Sequence, residues 1–285
     1  MTASGRPKPA ALVTGCSTGI GRATALALHE AGHPVYATAR QVSSLTELAD
    51  RGLKVLVLDV TDETSMSAAV DVVEAEHGSV GVLVNNAGYA LQGSIEETSL
   101  ADVRGQFEAN VFGLVRLCQL VLPGMRAACT GTIVNMGSMG GRFTFPGGGF
   151  YHASKHAVEA VSDALRLEVA GFGVRVVLIE PGPVQTAFGD TAMATLAEDD
   201  DVASGPYDQF NHELAARLAA AYDGRSGRLA VSVDEVAKVV LRAVSSRHPR
   251  PRYAVGALAK GMITGRRLAP DVVWDRFMRA QWPTP

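Results

Sequence analysis

The sequence predicts an α/β fold: a single doubly wound parallel sheet (Rossmann-type) of about seven strands, with helices on both faces. Three observations carry this expectation. Short, near-continuous apolar runs recur at Ala10–Thr14, His33–Ala39, Gly52–Asp59, Val80–Val84, Gly131–Ser138 and Val174–Glu180. Runs of that kind mark strands buried on both faces. Amphipathic stretches separate them, and right-handed strand–helix–strand crossovers wind such a sheet from both sides. The first run also passes directly into Gly15-Cys16-Ser17-Thr18-Gly19-Ile20-Gly21 and then into Arg22–Glu30, a good helix former. Strand, glycine loop and helix together offer backbone N–H groups and a helix N-terminus to a pyrophosphate.

Composition narrows the function classes. The 285 residues, 47% hydrophobic and 19% charged, suffice for one domain with ample core. The expected division is a cofactor and catalytic core at 8–186, a substrate loop and helix at 187–230, and closing helices with a last strand at 231–285. A net charge of -3 without a basic stripe argues against a nucleic-acid partner. Cys16, Cys118 and Cys129 have no C-x-x-C spacing, which implies a reducing compartment without disulfides or zinc. Met1–Pro9 lacks the apolar centre of a leader, and no apolar run is long enough to span a bilayer. A cytoplasmic protein with no transmembrane segment is expected.

The elements follow in order. At the glycine loop the spacing is G-x-x-x-G-x-G, a departure from the G-x-G-x-x-G dinucleotide fingerprint. The second strand ends at Ala39 and Arg40, where an NAD site usually carries a carboxylate for the ribose hydroxyl. A guanidinium there suits the 2′-phosphate of NADP(H), with the Thr18 hydroxyl in support, while NAD(H) stays open. The third strand ends at Asp59-Val60, placed to touch the adenine. Alternatively, Asp59 or Thr61 caps the helix Glu63–His77. The fourth strand runs into Asn85-Asn86-Ala87-Gly88, and Ser99-Leu-Ala-Asp102 reads as a capping box opening a long helix. Asn110 lies inside that helix, where asparagine competes with the backbone for hydrogen bonds and so needs a reason.

The fifth strand ends on Ser138, and a glycine- and aromatic-rich loop leads to a helix containing Tyr151-His152-Ala153-Ser154-Lys155. On a helix, Tyr151 and Lys155 stack at i and i+4. A phenol has a pKa of about 10 and is a poor acid–base group near neutrality until a neighbouring ammonium lowers it. Such a tyrosine could exchange a proton with an alcohol or ketone oxygen held by the serine hydroxyl. His152 and His156 have no second ligand at metal spacing, so no metal is expected. The sixth strand breaks on Pro181-Gly182-Pro183-Val184, with Thr186 just beyond.

Taken together, Thr14-Gly-x-x-x-Gly-Ile-Gly21, Asn85-Asn-Ala-Gly88, Asn110, Ser138, Tyr151-x-x-x-Lys155 and Pro181-Gly182 resemble the short-chain dehydrogenase/reductase family over about residues 8 to 186. Thr14–Gly21 and Val35–Arg40 are further similar to the branch of 17-beta-hydroxysteroid and retinol dehydrogenases. The resemblance implies that Tyr151 is the acid in ketone reduction and the base in alcohol oxidation. By the same resemblance Lys155 lowers its pKa and holds the nicotinamide ribose, Ser138 orients the substrate oxygen, and Asn110 steadies a water serving Lys155. It further implies that Gly15, Ser17, Thr18, Gly19, Ile20 and Gly21 cradle the cofactor, that Asn86, Ala87 and Gly88 flank the adenosine ribose, and that Pro181, Gly182, Val184 and Thr186 border the nicotinamide.

Beyond Thr186, Phe188–Gly205 suggests either a mobile lid or a solvated loop, and Tyr207–Tyr222 a helix over the pocket. Ser232-Val-Asp-Glu235 is a second capping box, and Arg252–Val255 a seventh strand. Met139, Phe143, Phe145, Phe188 and Met193 make an apolar pocket for a small hydrophobic alcohol or carbonyl substrate, although core packing explains some of them equally well. Trp274, Phe277 and Met278, at helical spacing among arginines, pack on the domain or a second subunit of a homodimer or homotetramer, or lie on a membrane surface. The leading expectation is an NADP-dependent alcohol dehydrogenase or carbonyl reductase. A dinucleotide-sensing regulator and a scaffold or membrane-associated module on the same fold are the alternatives.

Overall fold

The computed structural model describes residues 7–186, 205–222 and 230–282. Phe188, Met193 and the acidic run Glu198–Asp201 lie outside the described residues. The strands are β1 (Ala11–Val13), β2 (Val35–Ala39), β3 (Lys54–Val57), β4 (Val82–Asn85), β5 (Gly131–Met136), β6 (Val174–Pro181) and β7 (Arg252–Val255). They form one sheet in the order β3-β2-β1-β4-β5-β6-β7, and every neighbouring pair is parallel. Chain direction across the sheet reverses between β1 and β4, the switch point where an open α/β sheet receives its ligand.

Two apolar layers hold the sheet. On one face, Ala25 and Leu28 of α1 (Gly19–Glu30), Leu48 of α2 (Thr46–Asp50) and Val236, Val240 and Val244 of α8 (Val233–Ser245) pack on alternate strand residues. On the other face lie α3 (Glu63–His77), α5 (Gly113–Ala127) and α6 (Gly149–Glu168), contributing Val70, Val73, Leu117, Val121 and Val158. Remaining helices are α4 (Leu100–Phe107), α7 (Asp208–Tyr222), α9 (Ala257–Leu268) and α10 (Asp271–Gln281).

Local chemistry explains the element ends. The Ser99 hydroxyl caps α4 by accepting from Asp102 N at 3.1 Å, and Ser232 caps α8 by accepting from Glu235 N at 3.2 Å. The expectation that Asp59 or Thr61 caps the third helix is corrected. Asp62 does so, accepting from Thr64 N at 2.9 Å, because Asp59 Oδ1 is engaged by the Thr61 N–H and hydroxyl at 2.9 and 2.8 Å. The long helix after Ser99 is also interrupted. Residues Glu108–Phe112 form a π-helical turn around Asn110, the extra-residue insertion that often marks a functional position.

Candidate active site

Because all strands are parallel, the ends of β1, β4, β5 and β6 bring the glycine loop, Asn86–Gly88, Ser138 and Pro181 to one edge. The loop after β1 is folded back on itself. Gly15 and Gly19 have φ of +70° and +59°, the left-handed region that glycine adopts without a side-chain clash. A Cβ on Gly15 would stand 3.0 Å from Ala87 Cα, and one on Gly21 would run into the Gly15 carbonyl oxygen. Thr14 ties the two segments together: its hydroxyl oxygen accepts from the N–H groups of Asn86 and Ala87, both at 2.9 Å. Asn86 Nδ2 donates in return to the carbonyls of Thr14 and Gly15 at 2.9 and 3.1 Å. Asn86 therefore shapes the loop with its amide rather than presenting that amide to a ligand.

Thr18 is the exposed N-cap of α1 and makes no side-chain cap bond, so the first-turn N–H groups have no capping side chain. Arg40 is exposed at the end of β2 and enters no ion pair among the described residues. Val60 backs onto Gly113, where a Cβ would meet the Val60 carbonyl oxygen. Beyond β6, Val184 bridges Val231. Thr186 Cγ2 comes within 3.1 Å of where a Cβ on Gly19 would be, so the segment following Pro181 and Gly182 closes on the start of α1. The glycine loop, the Asn86–Gly88 segment and the segment ending at Thr186 thus lie against one another at this edge of the sheet.

The tetrad that the resemblance implies, Asn110, Ser138, Tyr151 and Lys155, lies on α6 and on segments packed against it. Tyr151 and Lys155 sit one turn apart on α6, with Lys155 Nζ 5.9 Å from the Tyr151 ring centroid. The ammonium is buried and donates to the Met136 carbonyl at 2.9 Å, at the end of the strand that leads to Ser138. Burial brings the Lys155 pKa down to about 8, opposed by the charge of Glu159 one turn further on. Ser138 Oγ accepts from Gly140 N at 3.0 Å, which fixes the hydroxyl while leaving its own proton free to donate. Asn110 braces three elements. Its Nδ2 donates to the Tyr89 carbonyl at 2.9 Å and to Ser154 Oγ at 3.1 Å, and its Oδ1 accepts from Tyr89 N at 3.1 Å. The π turn is what turns this amide away from its own helix and onto α6.

Of the expected pocket residues, Met139, Phe143 and Phe145 all pack with the C-terminal helices. Phe143 meets the Trp274 ring edge-on at 5.5 Å, and Phe145 stacks on Trp282 at 4.2 Å. Trp274 and Met278 of α10 are buried in the same cluster and pack on the domain, whereas Phe277 of the same stripe stays exposed. His152 packs against both phenylalanines, and its Nδ1–H donates to the Gly140 carbonyl at 2.8 Å. Burial brings its pKa down to about 4, so it is a neutral packing group. Burial likewise pushes the Cys16 and Cys118 thiols up to about 12, which leaves neither as a thiolate nucleophile. Among the described residues no group of three His, Cys, Asp or Glu stands close enough to hold a metal.

The model of the short chain dehydrogenase family matches residues 9–197, two thirds of the chain and all of the cradle and tetrad. This chain belongs to that family. A short-chain dehydrogenase from Streptomyces avermitilis shares the fold with a TM-score of 0.79 and 31% identity, over 97% of each chain. The NADPH-dependent 3-dehydrocapnine reductase of Ornithobacterium rhinotracheale is 33% identical over 277 residues, 94% of this chain and 95% of that one. The 3-ketodihydrosphingosine reductase of Bacteroides thetaiotaomicron is 44% identical over 179 residues, but these make up only 63% of this chain and 65% of that reductase.

Two features of this short-chain dehydrogenase escape the motif reading. One is Thr14, whose hydroxyl joins two motifs that sequence reading treats separately. The other is a charged cluster behind Lys155. Glu159 and Glu180 are buried there between Arg142 and Arg252. The signal for the first half of it was present: Tyr151, Lys155, Glu159 and Asp163 recur every four residues along α6. A cavity of about 470 Å³ between α8 and β7, lined by Lys238, Arg242, Arg250 and Lys260, lies on the outer edge of the sheet and includes none of the tetrad.

Proposed function

We propose that this short-chain dehydrogenase interconverts a hydrophobic secondary alcohol and ketone, or a primary alcohol and aldehyde, with Tyr151 as the acid–base group and NADP(H) preferred over NAD(H). The observation that carries this reading is the buried Lys155 ammonium, 5.9 Å from the Tyr151 ring and anchored to Met136 at the end of the strand that leads to Ser138. A dinucleotide fits the residues beside it, because Gly15 and Gly19 take the left-handed backbone of a tight loop and Gly21 has no room for a Cβ, which brings backbone N–H groups together at the start of α1. Gly15–Gly21 and α1 would hold the pyrophosphate, Ala87 and Gly88 would flank the adenosine ribose, and Pro181–Thr186 would border the nicotinamide. When bound, the dinucleotide supplies or accepts the hydride.

The chain's own residues perform the rest. Ser138 donates to the carbonyl oxygen and orients it. Tyr151 gives its phenolic proton to that oxygen as the alcohol forms, and takes it back in the oxidative direction. Lys155 stabilises the phenolate left behind and holds the nicotinamide ribose. Asn110 keeps the Tyr89 segment and α6 in register, and a water near it would serve Lys155 with protons. The names of two relatives, a 3-ketodihydrosphingosine reductase and an NADPH-dependent 3-dehydrocapnine reductase, both denote reduction of an oxo group at carbon 3. They support a ketone substrate and NADPH. They also draw the substrate reading away from the 17-beta-hydroxysteroid and retinol branch, which rests only on Thr14–Gly21 and Val35–Arg40. A cytoplasmic homodimer or homotetramer of one domain completes the proposal.

Titration with NADPH and NADH, followed by nicotinamide fluorescence, tests it when combined with a panel of apolar ketones that includes 3-ketodihydrosphingosine. Tighter NADPH binding with turnover of a panel member supports the reading. Failure of both dinucleotides to bind overturns it.

A further inference from the structure

Behind Lys155 the fold buries more charge than packing requires. Glu159 lies one turn beyond Lys155 on α6, and Glu180 is the penultimate residue of β6, next to Pro181; both are almost wholly buried. Burying a carboxylate is costly unless every oxygen finds a donor. Glu159 Oε2 does, accepting from Arg252 Nε at 2.9 Å, with Arg142 Nη1 at 3.5 Å. Glu159 Oε1 does not; it is buried without a donor, and the Glu180 carboxyl is drawn to the same two guanidiniums as Glu159. Glu180 Oε1 is held by Arg142 at 3.4 Å and lies 3.7 Å from Arg252. Two carboxylates gathered on the same guanidinium nitrogens, one of them with an oxygen that no donor reaches, are eased by a proton held between them.

The place of this pair matters more than its existence. Glu159 Oε1 comes within 3.4 Å of where a Cβ on Gly137 would stand. Gly137 separates Met136, whose carbonyl accepts from the Lys155 ammonium, from Ser138. The pair is therefore wedged beneath the residues that carry the catalytic hydroxyl and the lysine anchor. The charged groups facing it are Lys155 and Asp163 from α6, Arg142 from the loop after β5, and Arg252 from β7, whose guanidinium also pairs with Asp163 at 2.5 Å.

We propose that Glu159 and Glu180 form a proton-sharing carboxyl pair that acts as a positioning device for Lys155, maintaining its ammonium charge from the side opposite Tyr151 and so setting the upper pH bound of reduction. The proposal rests on the catalytic reading of Tyr151 and Lys155 only in its second half; the shared proton stands without it. Below the pair's titration the two carboxyls carry one negative charge. Above it they carry two, and the second charge arises as Lys155 approaches its own deprotonation. Burial, and after it the charge of Glu159, lifts Glu180 to about 7, so this happens just below the point where burial would release the Lys155 proton, about 8.

The shared proton is tested on the cofactor-free chain by following Tm against pH for the wild type, Glu180→Gln and Glu159→Gln. A carboxyl whose folded-state pKa is raised contributes stability below the ordinary carboxylate range and loses it as pH rises through the folded value. The wild type thus carries a loss between about 4.5 and 7 that Glu180→Gln lacks and that Glu159→Gln keeps only in the part that burial causes. The Tm difference, variant minus wild type, should rise across that window in both. A difference that stays flat in both overturns the pair. Where one variant fails to fold, the other decides.

The positioning role is tested on NADPH-dependent reduction of whichever panel ketone turns over. Both variants should move the alkaline limb of kcat to lower pH, Glu159→Gln by on the order of one unit and Glu180→Gln by less. A lower kcat with an unmoved limb would mean a merely structural pair and overturns the role. If the wild type reduces no ketone, the catalytic reading fails by itself, and the Tm series still judges the shared proton.

Discussion

The cofactor cradle and the catalytic face lie side by side on one edge of the sheet, yet they are built by opposite means. The proposed cradle is made by leaving atoms out. Gly15, Gly19 and Gly21 let the loop fold onto Ala87 and Thr186, beside a helix start whose N–H groups have no capping side chain. The catalytic face is made by burying polar atoms. Lys155, Asn110, Ser154 and Glu159 are all below one tenth exposed, and each is held by a named partner on another segment or an adjacent turn. Backbone shape tolerates no added carbon, while buried polar groups tolerate no lost partner. The two regions should therefore fail in different ways.

The largest effect is expected from Tyr151→Phe, which removes one oxygen from the catalytic face and nothing from the cradle. Tyr151 is only half-buried, so the phenyl ring keeps its place. The expected loss of turnover is about 10²–10⁴-fold, with the NADPH dissociation constant unchanged by fluorescence titration. Turnover equal to the wild type would remove Tyr151 as the acid and separate the face from the chemistry.

The converse experiment is Gly21→Ala, which adds one methyl group to the cradle and leaves the tetrad intact. That methyl would meet the Gly15 carbonyl oxygen and the Asn86 side-chain nitrogen, neither of which can retreat without opening the loop. Overpacking of this kind costs about 1–3 kcal/mol. Tm should fall, and NADPH affinity should fall with it, while any turnover at saturating cofactor stays close to that of the wild type. If affinity were retained and turnover lost, the glycine loop would not be the pyrophosphate site.

The same contrast explains what could be read in advance. The strands, their parallel pairing and the glycine loop were legible because they rest on local pattern: apolar runs, turn residues and glycine spacing. Ser99 and Ser232 were legible as caps because a capping box is contained in four residues. The reason for Asn110 was not, although its mid-helix position signalled that one existed. Only the π turn shows the amide reaching Tyr89 and Ser154, 21 and 44 residues away in sequence. Asp62 displaced Asp59 as the helix cap because the Thr61 hydroxyl claims the Asp59 carboxylate, a competition between near-equal polar neighbours that propensity does not resolve. Phe143 and Phe145 were ambiguous for a related reason, since an aromatic residue after Ser138 suits a pocket and a core alike. The position of Trp274 and Trp282, more than 120 residues later, decides where their rings go. The Glu159–Glu180 pair lay furthest from view, as it needs α6, β6 and β7 packed together before two carboxyls can face each other.

The smallest expected effect falls at the outer rim of the cradle, where a side chain does act. Arg40 is exposed, directly follows β2 and has no ion pair among the described residues, so its guanidinium is free to meet a 2′-phosphate. Solvent screens such a contact, which places it near the lower end for charge-assisted bonds, about 1 kcal/mol or a roughly fivefold change in affinity. Arg40→Ala should therefore weaken NADPH by about that factor and leave NADH unchanged, with Tm unaltered because the residue buries no apolar surface worth counting. Titration of both dinucleotides against the variant checks this. An equal loss for the two would move the 2′-phosphate contact elsewhere, with Thr18 the next candidate, and would show that even the rim of the cradle selects its ligand through backbone shape.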